Sequence, residues 1–203
     1  MRKTLGILMI ITAVVLSLSG CEALFTKSVF TGFAADPADM SPSQLEAYAE
    51  GLLGGGDADA MADAFTALAD DLPADAADDP ELYLLATDLA MGGSHLTEVM
   101  MDVADMALTG DVPADPVAFY DEVMASLDVA MLEDAVDIFS DVSALSNADE
   151  IITETQYANA AAALAIVILN DVGNDPADLN TDPRYATLQD WATLGGVDIE
   201  SYL

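Results

Sequence analysis

Leu132-Glu133-Asp134-Ala135-Val136-Asp137-Ile138-Phe139-Ser140-Asp141-Val142-Ser143-Ala144 separates its apolar and acidic residues by helical spacing. Ala135, Ile138, Phe139 and Val142 recur three and four apart, which puts them on one face of a 3.6-residue turn. Asp134, Asp137 and Asp141 fall together on the other face. A half-buried strand would need strict alternation, and no alternating run of comparable length occurs in the chain. The fold class read from this stretch is all-α.

Helix punctuation recurs on either side of it. Ser41-Pro42-Ser43-Gln44 offers a hydroxyl cap, a proline at the first helical position and a glutamine three residues after the cap. Asp79-Pro80, Asp115-Pro116 and Asp182-Pro183 repeat an aspartate cap before proline, where the carboxylate accepts orphan amide protons and favours the positive end of the helix dipole. Asn147 with Glu150 reads as a further capping box. Gly54-Gly55-Gly56, Gly92-Gly93, Gly110, Gly173 and Gly195-Gly196 read as stops that supply left-handed conformations. These signals predict helices near 42–53, 58–71, 80–91, 96–109, 116–129, 132–144, 149–171 and 183–194.

Alternate helices then begin near 42, 80, 116 and 149, at intervals of 38, 36 and 33 residues. Leu45, Ala49 and Leu52 on the first helix, Gly56-Asp57 at the turn, Phe65 on the second helix and Pro73 at its end resemble a tetratricopeptide repeat. Ala135 and Phe139 occupy the corresponding second-helix positions of the third hairpin, whereas Asp102 and Asp105 interrupt the register of the second. The expected architecture is a set of stacked antiparallel helical hairpins, about eight helices in all. It is either a tetratricopeptide-like α-solenoid or an irregular helical bundle.

The chain has 203 residues, with 37 Asp and Glu against 4 Lys and Arg, and a formal net charge of -33. Such a surface repels phosphate, which excludes nucleic acid as a partner. Hydrophobic residues make up 53% of the chain, so a disordered, poorly hydrophobic protein is excluded too. Four cations, of which Arg2 and Lys3 lie in a segment expected to be removed, cannot pair with 37 acids, and the expected host is halophilic, because salt screens the self-repulsion.

The N-terminus reads as an address. Arg2 and Lys3 precede an apolar run from Leu5 to Leu18, the charged and apolar regions of an export signal. The run ends in Leu18-Ser19-Gly20-Cys21, which resembles the lipobox of bacterial lipoproteins. That resemblance implies cleavage before Cys21, a diacylglyceryl group on its thiol and an acyl chain on the new amine. The protein would sit on a membrane by its lipid, since several acyl chains anchor where one does not. Glu22 follows the cysteine where some Gram-negative lipoproteins carry an inner-membrane retention aspartate, which leans towards the outer membrane. Cys21 is the only cysteine, so an intramolecular disulfide is excluded. The expected organisation is a signal peptide over 1–20, an acylated N-terminus and tether over 21–40, and one helical domain over 41–203.

Candidate chemistry is sparse. His95 is the only histidine and has no cysteine or second histidine to complete a usual zinc site. The most site-like stretch runs from Asn170 to Asp182, rich in the oxygen ligands that calcium prefers. Asp178, Asn180 and Asp182 match the first, third and fifth positions of an EF-hand loop, but Pro183 stands where that loop needs glycine and Gln189 where it needs glutamate. Ala160 to Leu169 is apolar without interruption and reads as a central core helix. The functional expectation is a non-enzymatic, lipid-anchored exported scaffold in the bacterial cell envelope that binds another envelope protein. The alternative is a lipoprotein that binds a small ligand or divalent cation, such as a component accompanying a transporter.

Overall fold

The computed structural model describes residues 36–55, 57–109, 116–173 and 176–197. Nine α-helices lie among them: α1 (Pro42–Leu53), α2 (Ala58–Ala69), α3 (Pro80–Gly93), α4 (Leu96–Thr109), α5 (Pro116–Ser126), α6 (Val129–Ser143), α7 (Ala148–Ile151), α8 (Glu154–Asp171) and α9 (Tyr185–Leu194). Short 3-10 turns occupy Pro37–Asp39 and Pro176–Thr181, and the described residues contain no strand. The protein is all-helical, as the periodicity of residues 132–144 implies.

Local chemistry explains most helix starts. The Gln44 side-chain oxygen accepts from both the Ser41 amide, at 3.1 Å, and the Ser41 hydroxyl, at 2.8 Å, ahead of α1. The carboxylates of Asp57, Asp79 and Asp128 accept amide protons from Ala60, Leu82 and Met131 at the starts of α2, α3 and α6. The start expected at 149 is displaced. Asn147 makes no side-chain cap bond, and the helix it opens stops at Ile151 after a single turn. Thr153 and Gln156 form the capping box that begins α8, so the single helix expected over 149–171 is two.

Gly92 and Gly93 correct a second expectation. Both lie inside the last turn of α3 rather than beyond it, and the left-handed residue is His95, at φ 65°. The glycines are there for close approach. A Cβ on Gly93 would stand 2.8 Å from the backbone N and Cα of Ala62 on α2 and 2.9 Å from the Met131 sulfur on α6. Gly195 plays the same part against Ala158, whose backbone N would lie 2.6 Å from an added Cβ.

The pairing of helices departs from sequence order. α1, α2 and α3 pack on one another, and α8 packs on α9, as neighbours in the chain should. The principal partner of α3, however, is α6, and α6 in turn packs along α8. The Asp128 amide donates to the Ser94 carbonyl at 3.1 Å, which joins the end of α3 to the start of α6 as an antiparallel hairpin. Residues 95–127, carrying α4 and α5, leave and re-enter at that junction. The expected second and third hairpins are therefore replaced by one α3–α6 hairpin with an excursion at its tip. α4 buries Leu96, Val99, Met100 and Val103, while α5 rests Phe119, Val123 and Met124 against the core only in part.

The core runs without a break from Leu45 and Phe65 through Leu89, Leu132 and Phe139 to Leu164, Leu188 and Trp191. The uninterrupted apolar stretch of α8 buries Ala160, Ala163, Leu164, Val167 and Ile168, which is the use expected of it. Phe139 is its aromatic centre, with T-shaped contacts to Tyr157 at 5.5 Å and Trp191 at 4.9 Å that tie α6 to α8 and α9. No helix among the described residues is long and apolar enough to cross a membrane.

Candidate functional site

Leu18, Ser19, Gly20 and Cys21 lie outside the described residues, so the lipidation site has no geometry to add. Among the described residues the polar features that are not simply exposed carboxylates fall in three places.

The first is the connection between α8 and α9. Arg184 is the one Lys or Arg among the described residues, and its guanidinium holds two acids at once. Nε and Nη2 reach the two oxygens of Asp182 at 2.9 and 2.8 Å, and Nη2 also meets Asp171 at the end of α8 at 2.5 Å. The Arg184 amide donates to Asp182 as well, at 2.8 Å. Asp182 thus accepts the amide of the N-cap residue, while α9 begins two residues later than the Asp-Pro signal implies, and Arg184 itself makes no side-chain cap bond. Hydrogen bonds from Arg184 hold the Asp182 carboxyl below the usual carboxylate range, against the opposing effect of burial. Of the calcium-type residues, Asp178 and Asn180 are exposed within the 3-10 turn Pro176–Thr181, while Asp182 is engaged by the guanidinium. Among the described residues no three His, Cys, Asp or Glu are grouped to hold a metal ion.

The second is the α3–α6 junction. Ser94 is fully buried, and its hydroxyl donates to the Met91 carbonyl at 2.7 Å and accepts weakly from the Leu96 amide at 3.4 Å. His95 pairs its Nδ1 with Glu98 at 2.9 Å, an i to i+3 contact at the start of α4. A histidine in the left-handed region is strained by roughly 1 kcal/mol or more, which fits a chain leaving one helix abruptly for another. α4 then presents Met101 to solvent, 58% exposed, with Glu98, Asp102 and Asp105 around it.

The third lies between α3 and α8. Asp88 is the lone acid in the apolar run from Leu82 to Met91, and it is only partly exposed. The Gln156 amide nitrogen donates to it at 3.3 Å. Burial pushes the Asp88 carboxyl up to about 6, with the Gln156 hydrogen bond pulling the other way. Gln156 is also the capping residue of α8: its oxygen accepts from the Thr153 amide at 3.1 Å and the Thr153 hydroxyl at 3.0 Å. One carboxamide thus serves the start of α8 and the flank of α3. The sequence carries two signals for this contact, the Thr153-x-x-Gln156 box and the solitary Asp88, and neither points to the other.

The other buried polar groups are consumed locally. Thr87 donates to the Tyr83 carbonyl at 2.9 Å, and the Tyr83 hydroxyl donates to the Pro73 carbonyl at 2.5 Å. Burial first, then Asp141, Asp75 and Asp78, raise the proton affinity of that phenol and keep it a donor. What the geometry defines is a helical-hairpin body with an acidic exterior, pinned by Arg184 and by Gln156. No family model, no curated protein and no solved structure matches this chain.

Proposed function

We propose that the protein is a non-enzymatic scaffold, exported and held on the cell envelope by lipid on Cys21, that binds another envelope protein. An outer-membrane position belongs to the same reading. The observation that carries it is the joining of a lipobox-like Leu18-Ser19-Gly20-Cys21 to a body of packed helical hairpins. Hairpin bodies offer long side-by-side helix faces, a form suited to gripping another chain. A calcium-binding role at Asp178, Asn180 and Asp182 would have to displace Arg184 from Asp182, and calcium calorimetry on the Arg184→Ala variant is its test.

Two measurements test the main reading. Growth with a fatty-acid analogue should label the wild-type protein, and Cys21→Ala should abolish both labelling and membrane partition. Cross-linking on intact membranes, followed by recovery at several salt concentrations, should return the same protein partner each time. An unlabelled wild type would remove the anchor, and recovery of the scaffold alone in every condition would remove the partner.

A further inference from the structure

We propose that Met101 is the site at which an uncharged peroxide oxidises this protein, and that the fold tolerates the sulfoxide formed there. The methionines of the described residues differ sharply in exposure. Met61, Met91 and Met100 are 7%, 4% and 7% exposed, and Met40, Met106, Met124 and Met131 are half-buried. Met101 is 58% exposed. The helix that carries it explains the contrast. α4 buries Leu96, Val99, Met100 and Val103. Met101 is two residues from both Val99 and Val103, about 200° around the helix from each, and so points away from the core. Its neighbours on the outer side are Glu98, one turn before, and Asp105, one turn after, both exposed.

Oxidation of a thioether asks the protein for access and for no base or metal. The sulfur lone pair attacks one peroxide oxygen, and the O–O bond breaks. The departing oxygen receives, through solvent, the proton of the transferred hydroxyl and leaves as water. Sulfur is oxidised by two electrons and the peroxide is reduced by two. The surroundings select an uncharged oxidant. A chain of net charge -33, with Glu98 and Asp105 flanking the site, repels anions and leaves a neutral peroxide unhindered. The product is a polar, chiral side chain. At Met61, Met91 or Met100 it would set a sulfoxide oxygen in the core. At Met101 it stays in water, so helix packing is untouched and an apolar point among acids becomes a polar one.

The test is a time course with hydrogen peroxide on the full chain in about 1 M NaCl, where self-repulsion is screened. The readout is mass spectrometry of peptides cut at acidic residues, with fragment ions separating the adjacent Met100 and Met101. Among the methionines of the described residues, Met101 should oxidise first, at least about 10-fold faster than Met61, Met91 or Met100. The singly oxidised protein should melt within about 2 °C of the unmodified one, as a surface change does. Met101→Leu should lose that first event and leave the other rates unchanged. Oxidation of Met100 or of a half-buried methionine as fast as Met101 would overturn the proposal, and so would a larger fall in Tm on single oxidation. Should Met101→Leu not fold, the order of oxidation in the wild type decides alone.

Discussion

Gly93→Ala adds one methyl group where α3 lies directly against the backbone of α2. The new Cβ would stand 2.8 Å from the N and Cα of Ala62, where carbon atoms rest comfortably at about 3.5–4.0 Å. The obstruction is backbone, so no rotamer change relieves it, and α2 must shift away from α3 by several tenths of an ångström or more. The Met131 sulfur on the opposite side, at 2.9 Å, restricts the escape of α3 towards α6. Overpacking of this kind costs about 1–3 kcal/mol, and the fixed backbone of α2 places Gly93 at the upper end. Replacing glycine inside a helix offsets about 0.8–1.0 kcal/mol of that. The net expectation is a loss of about 2 kcal/mol, or about 4–8 °C in Tm for a domain of this size. Gly51→Ala is the matched control: it lies inside α1, a Cβ there meets nothing within 4 Å, and the same arithmetic gives a gain of about 0.5–1 kcal/mol. Thermal melts of both variants, followed by helical circular dichroism at one salt concentration and pH, read the two signs directly. A Gly93→Ala protein that melts with or above the wild type, while Gly51→Ala is stabilised, would refute the α2–α3 contact.

Three further outcomes follow from named groups. The folded protein binds the Asp88 proton more tightly than the unfolded chain, about 6 against the ordinary 3.8, so this group lowers stability as pH rises between those values and holds it lower above them. The difference amounts to about 3 kcal/mol, and urea titrations should find Asp88→Asn more stable than the wild type at pH 8 and equal to it near pH 4. Asp182 has the opposite sign: its folded affinity is depressed, so its stabilisation is present above the ordinary carboxylate value and is lost as pH falls through the folded one. A double-mutant cycle of Arg184→Ala and Asp182→Asn should give a coupling of about 1 kcal/mol, modest because the guanidinium is 37% exposed, and additive single effects would show the clamp to be idle. Melting temperature should rise steeply between about 0.05 M and about 1 M NaCl as screening shortens, and a flat profile would refute the halophilic reading.

The elements of this fold are legible because they are written locally. A cap, a proline and a 3.6-residue stripe act within a few residues of one another, and the starts of α1, α2 and α3 fall where those signals put them. The partners of the elements are not local. Read in order, α3 should pair with α4 and α5 with α6, yet α3 closes on α6 and the two helices between them are carried outward. The choice is made by surface shape: Gly93 lets α2 approach from one side and Met131 of α6 from the other, a fit no propensity records. The same glycines were legible as a stop signal for a sound reason, since paired glycines usually end helices. Here close packing outweighs the helix cost of glycine, and the left-handed residue passes to His95.

The same distinction separates what can and cannot be read of the polar sites. Asp178, Asn180 and Asp182 stand at ligand spacing in the sequence, but spacing alone does not say which cation comes first, and Arg184 is two residues from Asp182. In a chain with so few cations, a guanidinium beside two carboxylates is the scarce partner that decides their use. Asp88 poses the converse problem. Against 36 other acids nothing marks it except its apolar neighbours, and its meaning depends on Gln156 from a helix whose start was assigned elsewhere. Where acids are this common, information lies with the few groups that can answer them. Among the described residues Arg184 answers acids in the connection between α8 and α9, and Gln156 answers one where α8 meets α3.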